Sequence, residues 1–121
     1  YGRFGLMLLN GGRAGGQQLV PEKWVREMIQ PDPSRPFLQP GKLEGKPEFG
    51  YQHYWWIWPA ADNAVMARGV HGQGITVDFD DRVVIVQTAN WDRADDPQDW
   101  LEAAALQRAI IAALRADKVV Q

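Results

Sequence analysis

Residues 64–88 read AVMARGVHGQGITVDFDDRVVIVQT and contain the clearest strand signals of the chain. Apolar and polar residues alternate from Ile75 to Phe79, and this period of two is typical of a half-buried strand. Residues 83–86 are all β-branched, which predicts a further strand that is covered on both faces. Asp80 and Asp81 indicate a turn between these two strands. Together with the apolar run at 65–67, the pattern predicts an antiparallel sheet around which the remaining chain folds.

Composition excludes several classes of protein. The chain has 121 residues, a formal net charge of -2 and no cysteine. A slightly acidic chain is not expected to have nucleic acid as its main partner, because phosphate binding needs a basic surface. Disulfides and thiolate metal sites are absent, although this leaves the cellular compartment unknown. No apolar run approaches the roughly 20 residues of a membrane span, so no membrane span is predicted.

Helical spacing marks three segments outside the sheet. Residues 1–10 predict a short helix ended by Gly11-Gly12, and a second helix is predicted to open with Pro21 as its first residue. A third is predicted from about residue 98 to 116, with Asp96 as its cap. Their predicted apolar faces comprise Phe4, Met7 and Leu8; Trp24, Val25, Met28 and Ile29; and Leu101, Ala104, Ala105, Ile111 and Leu114. On the third helix, Arg108 and Arg115 are assigned to the opposite face.

The middle of the chain predicts a long loop and an aromatic strand. Residues 30–48 are rich in proline and charge, and a surface loop within one domain fits them better than a linker. Residues 49–58 are read as one strand, turned back at 59–63 into a hairpin with the strand that starts near Ala64. The whole pattern predicts an α+β fold, an antiparallel sheet with packed helices, in one unit over residues 1–121. Because the chain begins inside or just before a helix and without Met, we expect a fragment of a longer protein.

Residue chemistry alone supports no complete catalytic or metal site. Ser34 has no lysine three residues on and no surrounding glycine elbow, so we interpret it as a loop serine. His53 and His71 lie on separate predicted strands without a third ligand, and no metal or cofactor is predicted. The glycines at 72 and 74 are followed by neither a lysine nor a helix start, which argues against a nucleotide site. The acidic run at 92–99 lacks the calcium-loop spacing.

The tryptophans allow two interpretations. Trp55, Trp56 and Trp58 place aromatic surface on both faces of the aromatic segment. They can form a core together with an edge that another segment covers, which is the interpretation we favour. They can also form the wall of a cleft for an apolar substrate, and the two interpretations can hold for different faces.

Several segments, taken in order, resemble the C-terminal part of the serine β-lactamase-related hydrolases. This family includes class C β-lactamases, DD-peptidases (penicillin-binding proteins), esterases and 6-aminohexanoate-dimer hydrolases, and the dimer-hydrolase and esterase branch looks nearest. The resemblance implies the C-terminal portion of a β-lactamase-like fold. The matching segments are RFGLMLLNGG at 3–12, LVP at 19–21 with Trp24-Val25, GYQ at 50–52 with Trp55-Trp56, and residues 67–78 and 83–90.

The resemblance implies hydrolysis of an ester or amide through an acyl-enzyme. In the family a Ser-x-x-Lys serine is acylated, a tyrosine assists proton transfer, and a Lys-Thr-Gly-like triad borders the site. Backbone N–H groups of the serine and of the residue after the triad form the oxyanion hole. The serine motif and the tyrosine lie upstream in the family and are absent from these residues. The chain alone is therefore expected to be inactive.

The resemblance places the triad at Ala67-Arg68-Gly69 and the oxyanion donor at the N–H of Val70. This register puts Gly72 on a glycine that follows the triad in the family, whereas a His-Thr-Gly reading would use His71-Gly72-Gln73. Ala67 stands where the family has lysine or histidine, which favours an esterase- or amidase-like substrate over a β-lactam. Ala67, Arg68, Gly69 and His71 are the implied substrate-binding residues. The Arg68 side chain, one residue along the strand, is expected on the opposite face.

Two further expectations concern partners. In the family the last strand pairs with an N-terminal segment, so the strand at 83–88, from Val83 to Thr88, is expected to expose an edge and to promote self-association. A non-catalytic binding or structural domain is the alternative to the hydrolase. A Ser-x-x-Lys upstream in the parent chain would discriminate between them.

Overall fold

The computed structural model describes residues 1–45, 48–59 and 62–120, and a five-stranded antiparallel sheet lies at its centre. The strands follow one another in chain order, and each pairs with the next. The sheet strands are β3 (Gly50–Gln52), β4 (Trp55–Ile57), β5 (Ala64–Arg68), β6 (Gly74–Asp78) and β7 (Val83–Gln87). The remaining elements are α1 (Gly2–Leu9), the small hairpin of β1 (Arg13–Ala14) and β2 (Gln17–Gln18), α2 (Glu22–Ile29) and α3 (Pro97–Val120).

The sheet separates two apolar layers. On one face, Val65 and Val77 are fully buried together with residues of α1 and α2. On the other face, Ala64 and Met66 are buried with Trp100 of α3. Successive strand residues thus enter opposite cores, as the pleat requires. The structure confirms the predicted α+β fold with helices packed on an antiparallel sheet.

The aromatic segment forms a hairpin and not the single strand that its sequence predicts. β3 and β4 pair tightly, with Gln52 opposite Trp55, so only His53 and Tyr54 make the turn. Both turn residues have positive φ, 52° and 66°, which is the geometry of a two-residue hairpin loop. The prediction failed because such turns usually contain Gly, Asn or Asp, and the sequence gives no such signal here. Trp55 and Trp58 are buried in the two cores, as the favoured interpretation expects.

The long C-terminal helix uses a different face from the predicted one. Its buried residues are Trp100, Ala103, Gln107 and Ile111, whereas Leu101 and Leu114 are exposed. The arginines assigned to the solvent side turn back to the protein: Arg108 stacks on Trp58, and Arg115 binds Asp81. A buried bond from Thr76 to Gln107 explains why a polar residue can occupy the inward face. Asp96 accepts a hydrogen bond from the N–H of Gln98, which confirms the predicted cap.

The edge strand β7 is less covered than its sequence predicts. Its residues are half-buried, and Val86 is 38% exposed. It has one neighbour in the sheet, β6, so the expected open edge is present among the described residues. Helix α1 crosses the β6–β7 face at Gly5, where a Cβ atom would collide with Val84. The β-branched run therefore marks an edge covered on one face, and not a central strand.

The two N-terminal helices agree closely with their predictions. Met7, Leu8, Val25 and Met28 are buried, whereas Phe4 and Trp24 remain exposed. Gly11 and Gly12 end α1 with positive φ, as a helix end of this kind requires. Pro21 is the cap of α2 and not its first residue. Among the described residues, no helix is long and apolar enough to cross a membrane.

Candidate functional site

The last residues of β5 have a partner strand on one side only. On the β4 side, the carbonyl of Ala64 accepts a hydrogen bond from the N–H of Trp58. On the β6 side, the N–H of Gly69 donates to the carbonyl of Gln73. Backbone groups along an antiparallel strand alternate between its two neighbours, so those of Arg68 face the β4 side. β4 pairs only with Val65 and Met66, and the chain turns away at His53-Tyr54. The β5 edge at Arg68 is therefore open.

The amide of Val70 lies at this open edge. Gly69 is extended, with φ -112° and ψ 170°, so the N–H of the next residue points away from β6. Val70 then begins a single 3₁₀ turn that ends at Gly72. The strand therefore ends at Arg68, and Val70 lies in the turn that follows it. The first amide of a helical turn has no partner within the turn, and among the described residues the Val70 N–H has no hydrogen-bond acceptor.

Two hollows adjoin the end of β5, one on each face of the sheet. The first measures about 250 Å³, and the second, of about 240 Å³, includes Val70 in its wall. Principal residues of the first are Tyr1, Ala67, Gly69, Ile75 and Gln87. Principal residues of the second are Trp56, Arg68, Val70, Asp95 and Trp100. Because Ala67 has the smallest side chain that still carries a Cβ, it leaves the first hollow open where a longer residue would enter it.

The Arg68 side chain faces α3, on the side opposite Ala67, as the pleat predicts. Its guanidinium lies between Trp56 and Trp100, 5.4 and 4.2 Å from the ring centres, and donates to Asp95 at 3.2 Å. Burial lowers the pKa of the Arg68 guanidinium, and the neighbouring Asp95 carboxylate partly offsets this effect. An arginine held in this way supports the strand end by packing, and its cation is directed away from Ala67.

His71 connects the turn to a loop formed by residues 89–95. Its N–H donates to the Ala94 carbonyl at 2.8 Å, and its carbonyl accepts from the Trp91 N–H at 3.3 Å. Its ring nitrogen Nδ1 lies 2.8 Å from the Trp91 carbonyl oxygen. The turn is thus held against the 89–95 loop by both the backbone and the side chain of one residue.

The five predicted site residues, Ala67, Arg68, Gly69, Val70 and His71, are consecutive and form one strand end and turn, in which Ala67 borders the first hollow and Val70 the second. Sequence reasoning missed the residues that support this turn from later in the chain. They are Trp91 and Asp95 in the loop and Trp100 on α3. No spacing rule connects them to residue 70, although the tryptophans stood out as unusual. Among the described residues, no group of three metal-ligating side chains occurs.

Comparison with known proteins found similar chains in structure and in sequence. The solved structure of a Bacillus anthracis protein described as a 6-aminohexanoate-dimer hydrolase superposes with a TM-score of 0.76 at 24% identity, over 94% of this chain. The chain therefore has the fold of the β-lactamase-like hydrolases. In sequence it is 30% identical over 93 residues to the 6-aminohexanoate-dimer hydrolase of Paenarthrobacter ureafaciens, a match that includes 77% of this chain. It belongs to that family, within the serine β-lactamase-related hydrolases, as a C-terminal part.

The chain spans about a quarter of the length of these relatives. It matches 24% of the length of the Paenarthrobacter hydrolase and 28% of the Bacillus chain. No protein-family model matches it.

Proposed function

We propose that this chain supplies one oxyanion donor and part of the cleft wall of a serine hydrolase that acts on esters or amides through an acyl-enzyme. The donor is the N–H of Val70, and the nucleophile comes from residues outside the chain. In this proposal residues 1–121 form one part of a single hydrolase domain. A second N–H, that of the acylated serine, completes the oxyanion hole.

The single observation that carries the proposal is the position of the Val70 amide. This N–H lies at an open strand edge, has no hydrogen-bond acceptor among the described residues, and borders the second hollow. Preorganised backbone donors stabilise the negative charge that develops on the carbonyl oxygen in acyl transfer, because they need not reorient as the charge forms. An amide with a partner in the sheet could not serve this purpose.

The wall of the site favours a neutral acyl group. Ala67 contributes no charge, and although Arg68 lines the hollow that Val70 borders, its cation is held there by Trp100 and Asp95. Because this cation already pairs with Asp95 and stacks on Trp100, it is not free to pair with a β-lactam carboxylate. An ester or amide with an apolar or amphipathic acyl chain fits this wall better. The Paenarthrobacter relative is named for hydrolysis of an amide, the 6-aminohexanoate dimer.

Turnover of p-nitrophenyl acetate and of a linear 6-aminohexanoate dimer tests the proposal. We expect the full-length protein to hydrolyse at least one of them and to lose activity when the serine of its Ser-x-x-Lys is changed to alanine. The 121-residue chain alone should show only background hydrolysis. A full-length protein without that motif, or with unchanged turnover in the serine variant, would instead support a non-catalytic binding or structural domain.

We also propose that the chain in isolation self-associates through the edge strand at 83–88. The β7 edge has one partner strand in the structure, and its apolar residue Val86 is exposed. Unpaired strand edges readily pair with another chain.

A further inference from the structure

We propose that His71 is a positioning residue for the Val70 amide, acting through its ring bond to the 89–95 loop. This inference rests on the proposed function, because it concerns the geometry of the same donor. It assigns to His71 a role different from the substrate contact that the resemblance to the family implies. The argument starts from the backbone of the turn.

His71 has a left-handed backbone, with φ 55° and ψ 30°. Residues other than glycine rarely adopt this conformation, and they keep it where surrounding contacts determine it. Here three hydrogen bonds connect His71 to the 89–95 loop, through its N–H, its carbonyl and its ring. The left-handed residue turns the chain immediately after Val70, and its three bonds hold the end of the short segment that carries the donor.

The ring bond also fixes the tautomer of His71. A carbonyl oxygen can only accept, so Nδ1 must carry the proton that is shared with Trp91. Nε2 is then the acceptor nitrogen of the neutral ring.

Contacts next to His71 allow the loop to approach closely. A Cβ atom on Gly72 would lie 2.5 Å from the Trp91 ring and 2.8 Å from the side chain of Ala89. The carbonyl of Gly72 also accepts from the Gln87 side chain at 2.9 Å. On the other side of Val70, the N–H of Gly69 is held by Gln73 at 2.8 Å. The Val70 amide thus lies between two anchored residues, and the ring of His71 adds a side-chain bond to the two backbone bonds that this residue makes with the loop.

Three substitutions in the full-length protein separate the ring bond from the backbone conformation. His71→Asn keeps a side-chain N–H donor and tolerates positive φ, His71→Gly keeps the backbone freedom alone, and His71→Ala keeps neither. We expect kcat to fall about 10- to 100-fold in the Ala and Gly variants, with KM changed less than about threefold, since a small misplacement of a catalytic group has effects of this size. His71→Asn should recover kcat to within about fivefold.

His53→Ala is the matched control. His53 is also left-handed, with φ 52°, but its ring binds Glu27 on α2, away from the Val70 turn. The kcat of the His53→Ala variant should stay within about twofold of the kcat of the original protein. An equal loss of kcat in His53→Ala would mean that replacing either left-handed histidine lowers activity by destabilising the fold. The proposal would then be wrong.

A further readout separates positioning from other roles. Hydrogen exchange measured by mass spectrometry should become faster in peptides covering 69–73 and 89–95 in His71→Ala and stay near its original rate in His71→Asn. Unchanged exchange in His71→Ala would refute the ring bond, and faster exchange with unchanged kcat would refute its link to catalysis.

These outcomes are distinct from a failure of the proposed function. If the serine variant of the full-length protein keeps its activity, the hydrolase proposal fails. Hydrogen exchange still decides whether the His71 ring holds the loop, because it needs no turnover.

Discussion

The guanidinium of Arg68 lies 4.2 Å from the centre of the Trp100 ring and joins the end of β5 to the first turn of α3. Its side chain is only 9% exposed, whereas that of its ion-pair partner Asp95 is 66% exposed. Packing and the cation–π contact should therefore contribute more stability than the ion pair, which solvent screens.

We predict that Arg68→Ala lowers the free energy of unfolding by roughly 1 to 3 kcal/mol, since it removes the stem and the cation from between two tryptophans. Asp95→Asn should lower it by less than about 1 kcal/mol, because an exposed pair contributes little. Urea denaturation followed by tryptophan fluorescence measures both values. A larger loss in Asp95→Asn than in Arg68→Ala would show that the ion pair dominates.

Val70→Pro is predicted to remove the oxyanion donor with little damage to the turn. Proline suits the first residue of a helical turn, and the extended Gly69 is compatible with a following proline. Because the N–H that is lost has no acceptor among the described residues, no internal hydrogen bond breaks. We expect kcat of the full-length protein to fall about 100- to 1000-fold, the usual effect of removing one such donor.

Val70→Ala is the control for this substitution, because it shortens the side chain and keeps the N–H. Its kcat should stay within about threefold of the original value. Similar losses in the Pro and Ala variants would assign the effect to the side chain, and the proposed donor would be wrong.

The ion pair between Asp81 and Arg115 should make stability depend on acidity. The hydrogen bond from Arg115 holds the pKa of the Asp81 carboxyl below its ordinary value of 3.8, and the charges of Arg115 and Lys118 add to this. A carboxyl whose pKa is lower in the folded state contributes stability above the unfolded pKa and loses it as the pH falls through the folded pKa. Arg115→Gln should therefore be less stable at pH 7, and its difference from the original protein should shrink below about pH 4.

Urea midpoints from pH 7 down to pH 3 measure this dependence. Lys23→Gln removes the same charge from an exposed position on α2, and its small difference should change less with pH. A difference for Arg115→Gln that is constant over this range would exclude Asp81 as the titrating partner.

Val86→Pro is predicted to reduce self-association of the 121-residue chain. The β6–β7 register and the alternation of hydrogen bonds place the backbone groups of Val83, Ile85 and Gln87 toward β6 and those of Val86 toward the open edge. Proline there removes an outward N–H and leaves the ladder with β6 intact. We expect analytical ultracentrifugation to give a lower average molecular mass for the Val86→Pro chain than for the original chain at the same concentration. Val86→Thr, which keeps the N–H, should still associate, and a monomeric original chain would refute the edge proposal.

The sequence by itself determined the elements whose signals are local. The alternation from Ile75 to Phe79 fixed β6, and the glycines after Leu9 ended α1, because side-chain spacing and backbone freedom act within a few residues. Through its resemblance it also predicted the register that places Val70 after the triad, and this register stays a prediction. These features require no knowledge of what contacts them.

Tertiary structure alone decided the remaining features. The inward face of α3 is set by the Arg115–Asp81 and Thr76–Gln107 contacts, between residues more than thirty positions apart, and not by the spacing of its leucines. Likewise, the open edge at Val70 exists because β4 begins only after the turn at His53 and Tyr54. Neither residue is one that typically indicates a tight turn in a sequence. Contacts between distant residues decide such features, since burial and hydrogen bonding depend on neighbours that the local sequence does not specify.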